Sequence, residues 1–202
     1  MQTIITPQVI NAGLSYPDFR HLVRSLLAEG KATGAMQSKF LIELSQSNLL
    51  RMDKAESLPL NPALTESLQN LPRRWVWLLI NEGWCTDAAH HVPVIGNLAA
   101  CSGHIDLRII LRSDFPEAMD AYLTNGGRSI PKLICLDADT LTELGTWGPR
   151  PAQAQELALR LKKQEHRHIN EIIQLMDEWA EQDKGQSLQA ELLELAEQWK
   201  QR

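Results

Sequence analysis

Asn81-Glu82-Gly83-Trp84-Cys85-Thr86-Asp87-Ala88 is the stretch from which the rest of the chain is best read. It follows an unbroken apolar run, Trp75-Val76-Trp77-Leu78-Leu79-Ile80, of the length and composition of a strand buried on both faces. Thr86 and Asp87 then open a segment with helical spacing that runs to about residue 101. Cys85 therefore falls where a strand gives way to a helix. A cysteine there lies beside unsatisfied backbone N–H groups and the positive end of the helix dipole, both of which favour the thiolate. Asp87 places a carboxylate in the same first turn, where it helps cap the helix and also repels a thiolate; the two effects oppose each other.

Outward from this stretch, strands are expected at 105–111, 132–136 and about 142–147, and a helix at 115–124. Asp137-Ala138-Asp139-Thr140 has hairpin spacing and turn chemistry between the last two strands. The order β-α-β-α-β-β-α predicts a mixed sheet with helices on both faces. Before it, residues 16–57 read as helical, with Asp18 near the start and Gly30 and Gly34 as breaks. Pro59, Pro62 and Pro72 punctuate a linker with a short helix at 63–70. After Pro151 the chain is helical again, with a stop at Lys184-Gly185 and a last helix carrying Leu192, Leu193, Leu195 and Trp199.

Four features carry a resemblance to the thioredoxin superfamily. Trp84 directly precedes Cys85; Pro93 falls eight residues later, inside the helix; Arg128-Ser129-Ile130-Pro131 opens the penultimate strand; and a Gly-Pro-rich exit, Trp147-Gly148-Pro149-Arg150-Pro151, follows the hairpin. The wider pattern looks like a bacterial thioredoxin-like group with a single active-site cysteine, Trp-Cys-x-Asp-Ala standing in place of Trp-Cys-x-x-Cys. The resemblance implies an α/β thioredoxin-like fold over residues 72–163, with a helical N-terminal extension, 1–71, packed on it and a helical C-terminal extension, 164–202. It further implies a cis peptide bond before Pro131, an Ile130 backbone offered to an extended substrate by strand addition, and Trp84 as an apolar wall. Two departures stand out. Ala88 occupies the place of the second cysteine, and Leu79 that of the buried acid six residues before the first.

The expected chemistry is thiol–disulfide exchange through Cys85 alone, that of a monothiol disulfide oxidoreductase. Trp84, Ile130 and Pro131 would dock the substrate, and Asp87 and Arg128 would tune the charge at the sulfur. The partner would be a protein disulfide or a low-molecular-weight thiol such as glutathione, and an external thiol would resolve the mixed disulfide. The alternative is a non-catalytic binding or adaptor module on the same fold. A peroxide-sensing thiol ranks third, since no residue set for it is recognisable. Cys101, sixteen residues on, lies at the far end of the same helix, about 24 Å away at the helical rise, and cannot pair with Cys85. Cys135 reads as core, yet its strand follows the proline loop, so it is the one internal candidate for a resolver.

Composition narrows the field. Hydrophobic residues make up 44% and charged residues 22% of the 202, ordinary values for a globular protein. A formal net charge of −5 argues against nucleic acid and anionic membranes as partners. No apolar run approaches a membrane span, and Met1-Gln2-Thr3-Ile4-Ile5-Thr6-Pro7 lacks the features of a signal peptide, so a cytoplasmic location is expected. Three scattered cysteines make no disulfide framework. No cofactor is expected, and no metal. The histidines of His90-His91 and His166-x-His168 point apart on a helix and read as solvated positions. Asn125-Gly126-Gly127 reads as a helix stop and turn rather than a phosphate cradle.

Overall fold

In the computed structural model, which describes residues 4–163 and 168–202, the apolar run before Cys85 is strand β1, Trp75–Asn81. Every one of its residues is buried. The reason is its central place: the sheet order is β2-β1-β3-β4, with β2 at Ile105–Leu111, β3 at Lys132–Asp137 and β4 at Glu143–Trp147. β2 runs parallel to β1, Trp75 facing Ile105 and Asn81 facing Leu111. β3 runs antiparallel to β1, from Trp75 opposite Asp137 to Ile80 opposite Lys132. The β3–β4 hairpin is built by Asp137, whose Oδ1 accepts from the backbone N–H groups of Asp139 and Thr140 at 3.0 and 2.8 Å. The mixed sheet with helices on its faces is the thioredoxin-like α/β architecture expected, helical extensions included.

The N-terminal helices are α1 (Pro7–Ala12), α2 (Tyr16–Ala28), α3 (Lys39–Glu56) and α4 (Pro62–Gln69). Six-residue α1 was not legible in the sequence, being too short to show a period. Just beyond it Leu14 pairs with Ile109 through two 2.8 Å backbone bonds and covers the outer edge of β2. Ser15 and Ser38 cap α2 and α3, each accepting from the N–H three residues on. Helix α5, Thr86–Ser102, follows Cys85 with Pro93 inside it and ends at Gly103 in the left-handed region. α6 is Pro116–Ala121, shorter than the 115–124 expected. Asn125-Gly126-Gly127 instead forms its own turn, closed by reciprocal bonds between Thr124 and Gly127.

The C-terminal helices are α7 (Ala152–Lys162), α8 (Ile169–Asp183) and α9 (Gln186–Lys200). They divide between two apolar clusters. Leu188, Leu192, Ala196 and Trp199 of α9 join the main core, where Trp199 meets Trp75 edge-on at 6.0 Å. Trp199 lies so close to β4 that a Cβ on Gly145 would come within 2.1 Å of its Nε1, which explains a glycine in a strand. α7 and α8 instead pack on each other around Ala154, Ala158, Leu161 and Met176, a small cluster apart from the main one. Residues 1–3 and His166 lie outside the described residues.

Candidate functional site

Cys85 is the N-cap of α5, and its thiol points at the proline loop rather than at solvent. The Ile130–Pro131 peptide is cis, and Cys85 Sγ donates to the Ile130 carbonyl at 3.3 Å. Three of the expected residues, Cys85, Ile130 and Pro131, thus meet in one buried place. Gly148–Pro149 is also cis, and Gly148 packs so tightly on this loop that a Cβ there would stand 2.4 Å from the Pro131 carbonyl oxygen.

The loop before Cys85 is held from outside the sheet. Gly83 donates its N–H to Thr33 Oγ1 at 2.9 Å, and its carbonyl accepts from Asn48 Nδ2 of α3, also at 2.9 Å. A Cβ on Gly83 would come within 2.9 Å of Val23 Cγ2. The N-terminal helices therefore set the approach of the chain to its cysteine.

A cavity of about 290 Å³ lies over Cys85. Its floor is Trp84, Cys85, Asp87 and His91; α3 supplies Phe40, Leu41 and Leu44, and α8 supplies Ile172, Ile173, Met176 and Trp179. Cys85 itself is only 7% exposed. Burial pushes its thiol up to about 12, and the charge of Asp87 adds to the rise. The Ala88 N–H at the helix start and the guanidinium groups of Arg150 and Arg112 act in the opposite sense and are outweighed. In this closed arrangement the helix start does not bring the thiol below its ordinary value, because desolvation exceeds what the Ala88 N–H and the two guanidinium groups restore. Of Asp87's two opposed effects, repulsion is the one seen at the sulfur, and Cys85 makes no side-chain cap.

Arg128 binds Asp120 with two hydrogen bonds of 2.6 Å; it does not line the cavity over Cys85, but it lines an adjoining cavity together with Trp84. The arginine beside the site is Arg150, whose Nε and Nη2 grip Asp87 at 2.7 and 2.5 Å. Arg150 stands in the Gly-Pro-rich exit, and no local sequence signal links it to Asp87, 63 residues earlier. Trp84 is half-buried, with the Arg112 guanidinium 4.8 Å above its ring.

His90 and His91 are not solvated. His90 binds Asp177 of α8 at 2.8 Å, and Arg51 of α3 holds the same carboxylate through two hydrogen bonds, from Nε at 2.9 Å and from Nη2. His91 is 4% exposed, edge-on to Trp147, and burial pushes it down to about 3, so it is neutral. His168 is the N-cap of α8 and exposed. Cys135 is fully buried and faces Trp77, four strand residues and about 13 Å short of the end of β1 beyond which Cys85 lies. That separation rules it out as a partner in this fold. Cys85, Cys101 and Cys135 are all free thiols.

A family model described as Thioredoxin matches residues 34–165, most of the chain and all four strands. The chain belongs to the thioredoxin family. In this chain Cys85 stands beside a cis-proline loop, and Ala88, three residues on, is fully buried. Among solved structures it is similar to a protein of unknown function from Pseudomonas aeruginosa (19% identity, 93% of this chain and 94% of that one, TM-score 0.59). It is also similar to an HIV epitope scaffold (20% identity, 94% and 96%, TM-score 0.58). Both likenesses are of fold. No curated protein matches this thioredoxin-family chain. Among the described residues no helix is long and apolar enough to cross a membrane.

Proposed function

We propose that this thioredoxin-family chain performs thiol–disulfide exchange through Cys85 alone. The observation that carries the reading is the 3.3 Å hydrogen bond between the Cys85 thiol and the Ile130 carbonyl of the cis-proline loop, beneath a cavity large enough for a second sulfur. Cys85 gives up its proton and attacks one sulfur of a disulfide. A new S–S bond forms to Cys85, and the departing sulfur leaves as a thiol carrying that proton. Buried Ala88 cannot release the product from within, so a thiol from outside attacks the mixed disulfide and restores Cys85. Trp84, Ile130 and Pro131 form the docking surface, and the Asp87–Arg150 pair sets the charge beside the sulfur. Such a single-cysteine branch of the family suits a reducing cytoplasm, where three unpaired cysteines stay thiols. The substrates are a protein disulfide or a low-molecular-weight one such as oxidised glutathione.

The depth of Cys85 adds one requirement: α8 must yield before a disulfide reaches the sulfur. It also favours a second reading, a non-catalytic adaptor whose thiol is a packing residue. Intact mass after treatment with oxidised glutathione separates the two. Exchange requires one adduct, at Cys85, absent from Cys85→Ser and reversed by added thiol. An adaptor gives no adduct in the folded chain and keeps its partner in Cys85→Ser.

A further inference from the structure

A second cavity, about 350 Å³, adjoins the first, and Trp84 and Leu41 line both. Its charged lining is Glu82, Arg112 and Arg128; Arg128 is held by Asp120, and Glu82 and Arg112 do not pair with each other. Glu82 is 1% exposed; its Oε1 accepts from the Ser113 N–H at 2.8 Å, and its Oε2 has no hydrogen-bond partner among the described residues. A buried carboxyl oxygen without a donor is costly and calls for an explanation. Gly34 leaves room beside it, an added Cβ falling 3.6 Å from Oε2. Arg112, on the same cavity, has one side-chain hydrogen bond among the described residues, from Nη1 to the Arg128 carbonyl at 3.0 Å. Its guanidinium is oriented by Trp84 yet holds no carboxylate among those residues.

We infer that this cavity takes the zwitterionic head of an α-amino acid, the ammonium on Glu82 and the carboxylate on Arg112, when that head belongs to the low-molecular-weight disulfide exchanging with Cys85. The inference rests on the exchange reading and specifies its substrate class. An ammonium supplies the donor that Oε2 lacks, and a carboxylate supplies the two-point acceptor that suits a guanidinium. Trp84, the residue next to Cys85, lines both cavities, so the head and the reacting sulfur of one ligand would lie on either side of it. The Cys85–S bond forms as the ligand's S–S bond breaks, and the departing half leaves with the Cys85 proton. A second thiol of the same class reverses the step.

The test compares mixed-disulfide formation on the full chain, by intact mass, with cystine, N,N′-diacetylcystine and cystine dimethyl ester. Each rate is divided by that of the urea-unfolded chain. Cystine is expected to react at least about tenfold faster than either derivative, because one charge-assisted hydrogen bond is worth such a factor. Glu82→Gln, which keeps an acceptor for Ser113, should abolish the preference over the diacetyl compound, and Arg112→Gln the preference over the ester. If one variant does not fold, the other still reads its half of the site. Equal rates with all three disulfides overturn the head-group site and leave the exchange reading standing. No adduct with any of them removes the exchange reading. In that case calorimetry of S-methylcysteine with Cys85→Ser decides the site: binding that N-acetylation abolishes sustains it, and no binding overturns it.

Discussion

Asp177 and His90 meet at 2.8 Å beside the Cys85 cavity, which His90 lines, and Arg51 grips the same carboxylate from the other side. One carboxyl of α8 is thereby tied to both α3 and α5. Burial alone would raise its pKa, but the hydrogen bonds from His90 and Arg51 hold it below the usual carboxylate range. α7 and α8 pack in their own small cluster, and the Asp177 contacts, with Lys54–Glu181 at 2.8 Å, tie α8 to the helices beside the thiol. Asp177→Asn should speed maleimide labelling of Cys85 roughly five- to thirtyfold, the effect of weakening α8 docking by about 1–2 kcal/mol. Labelling of Cys101, at the far end of α5, serves as the control and should not change. Equal acceleration at both cysteines would mean global unfolding and sink the idea of a local opening.

The thiol's own titration makes a second prediction. Its ordinary value is 9.0 and the folded value about 12. Iodoacetamide labelling of the folded chain should keep rising about tenfold per pH unit between pH 9 and 11, whereas the unfolded chain levels off. The sign for stability follows. A proton retained when folded and lost when unfolded stabilises below pH 9, and that contribution disappears as pH rises from 9 towards 12. Denaturant midpoints of the wild type and Cys85→Ala should diverge less with each step through that window.

Opposite substitutions on the Asp87–Arg150 pair should shift Cys85 in opposite directions. Asp87→Asn removes a repelling charge and leaves Arg150 facing the sulfur, so labelling at pH 8 should rise several-fold. Arg150→Met frees Asp87 and should slow it. A change of the same sign in both variants would show that the pair acts only by packing.

His91 predicts acid sensitivity. It is neutral when folded, with a value near 3, and ordinary, near 6.5, when unfolded. Its contribution is complete above pH 6.5 and falls away as pH drops towards 3, by at most about 1.4 kcal/mol per unit. In His91→Phe that slope should be missing from urea unfolding measured between pH 6.5 and 4. A wild-type His91 ring signal that titrates near 6.5 by NMR would contradict its burial.

What was legible in the sequence was set by local periodicity and covalent geometry. The strand Trp75–Asn81, the helix from Thr86 and the β3–β4 hairpin announce themselves through apolar runs, turn residues and spacing, and all three stand within a residue or two of expectation. The juxtaposition of Cys85 with Ile130 came through resemblance, since nothing local ties residues 45 apart. What stayed hidden depended on side chains meeting across long separations. Arg150 reaches Asp87 from the sheet's exit, Asp177 reaches Arg51 across 126 residues, and α8 covers a sulfur that its own sequence never indicates. The Arg128–Asp120 pair, eight residues apart in sequence, was likewise not legible from local pattern.

Gly83, held by Thr33 at its N–H and by Asn48 at its carbonyl, ties the N-terminal helices to the peptide that leads into Cys85. A fragment beginning at residue 72 would retain every strand and the cysteine, yet the peptide before Trp84 would lose both anchors. Dissecting this protein into a sheet-bearing core and dispensable flanks would therefore isolate the strands and discard the anchors that set the course of the chain into Cys85.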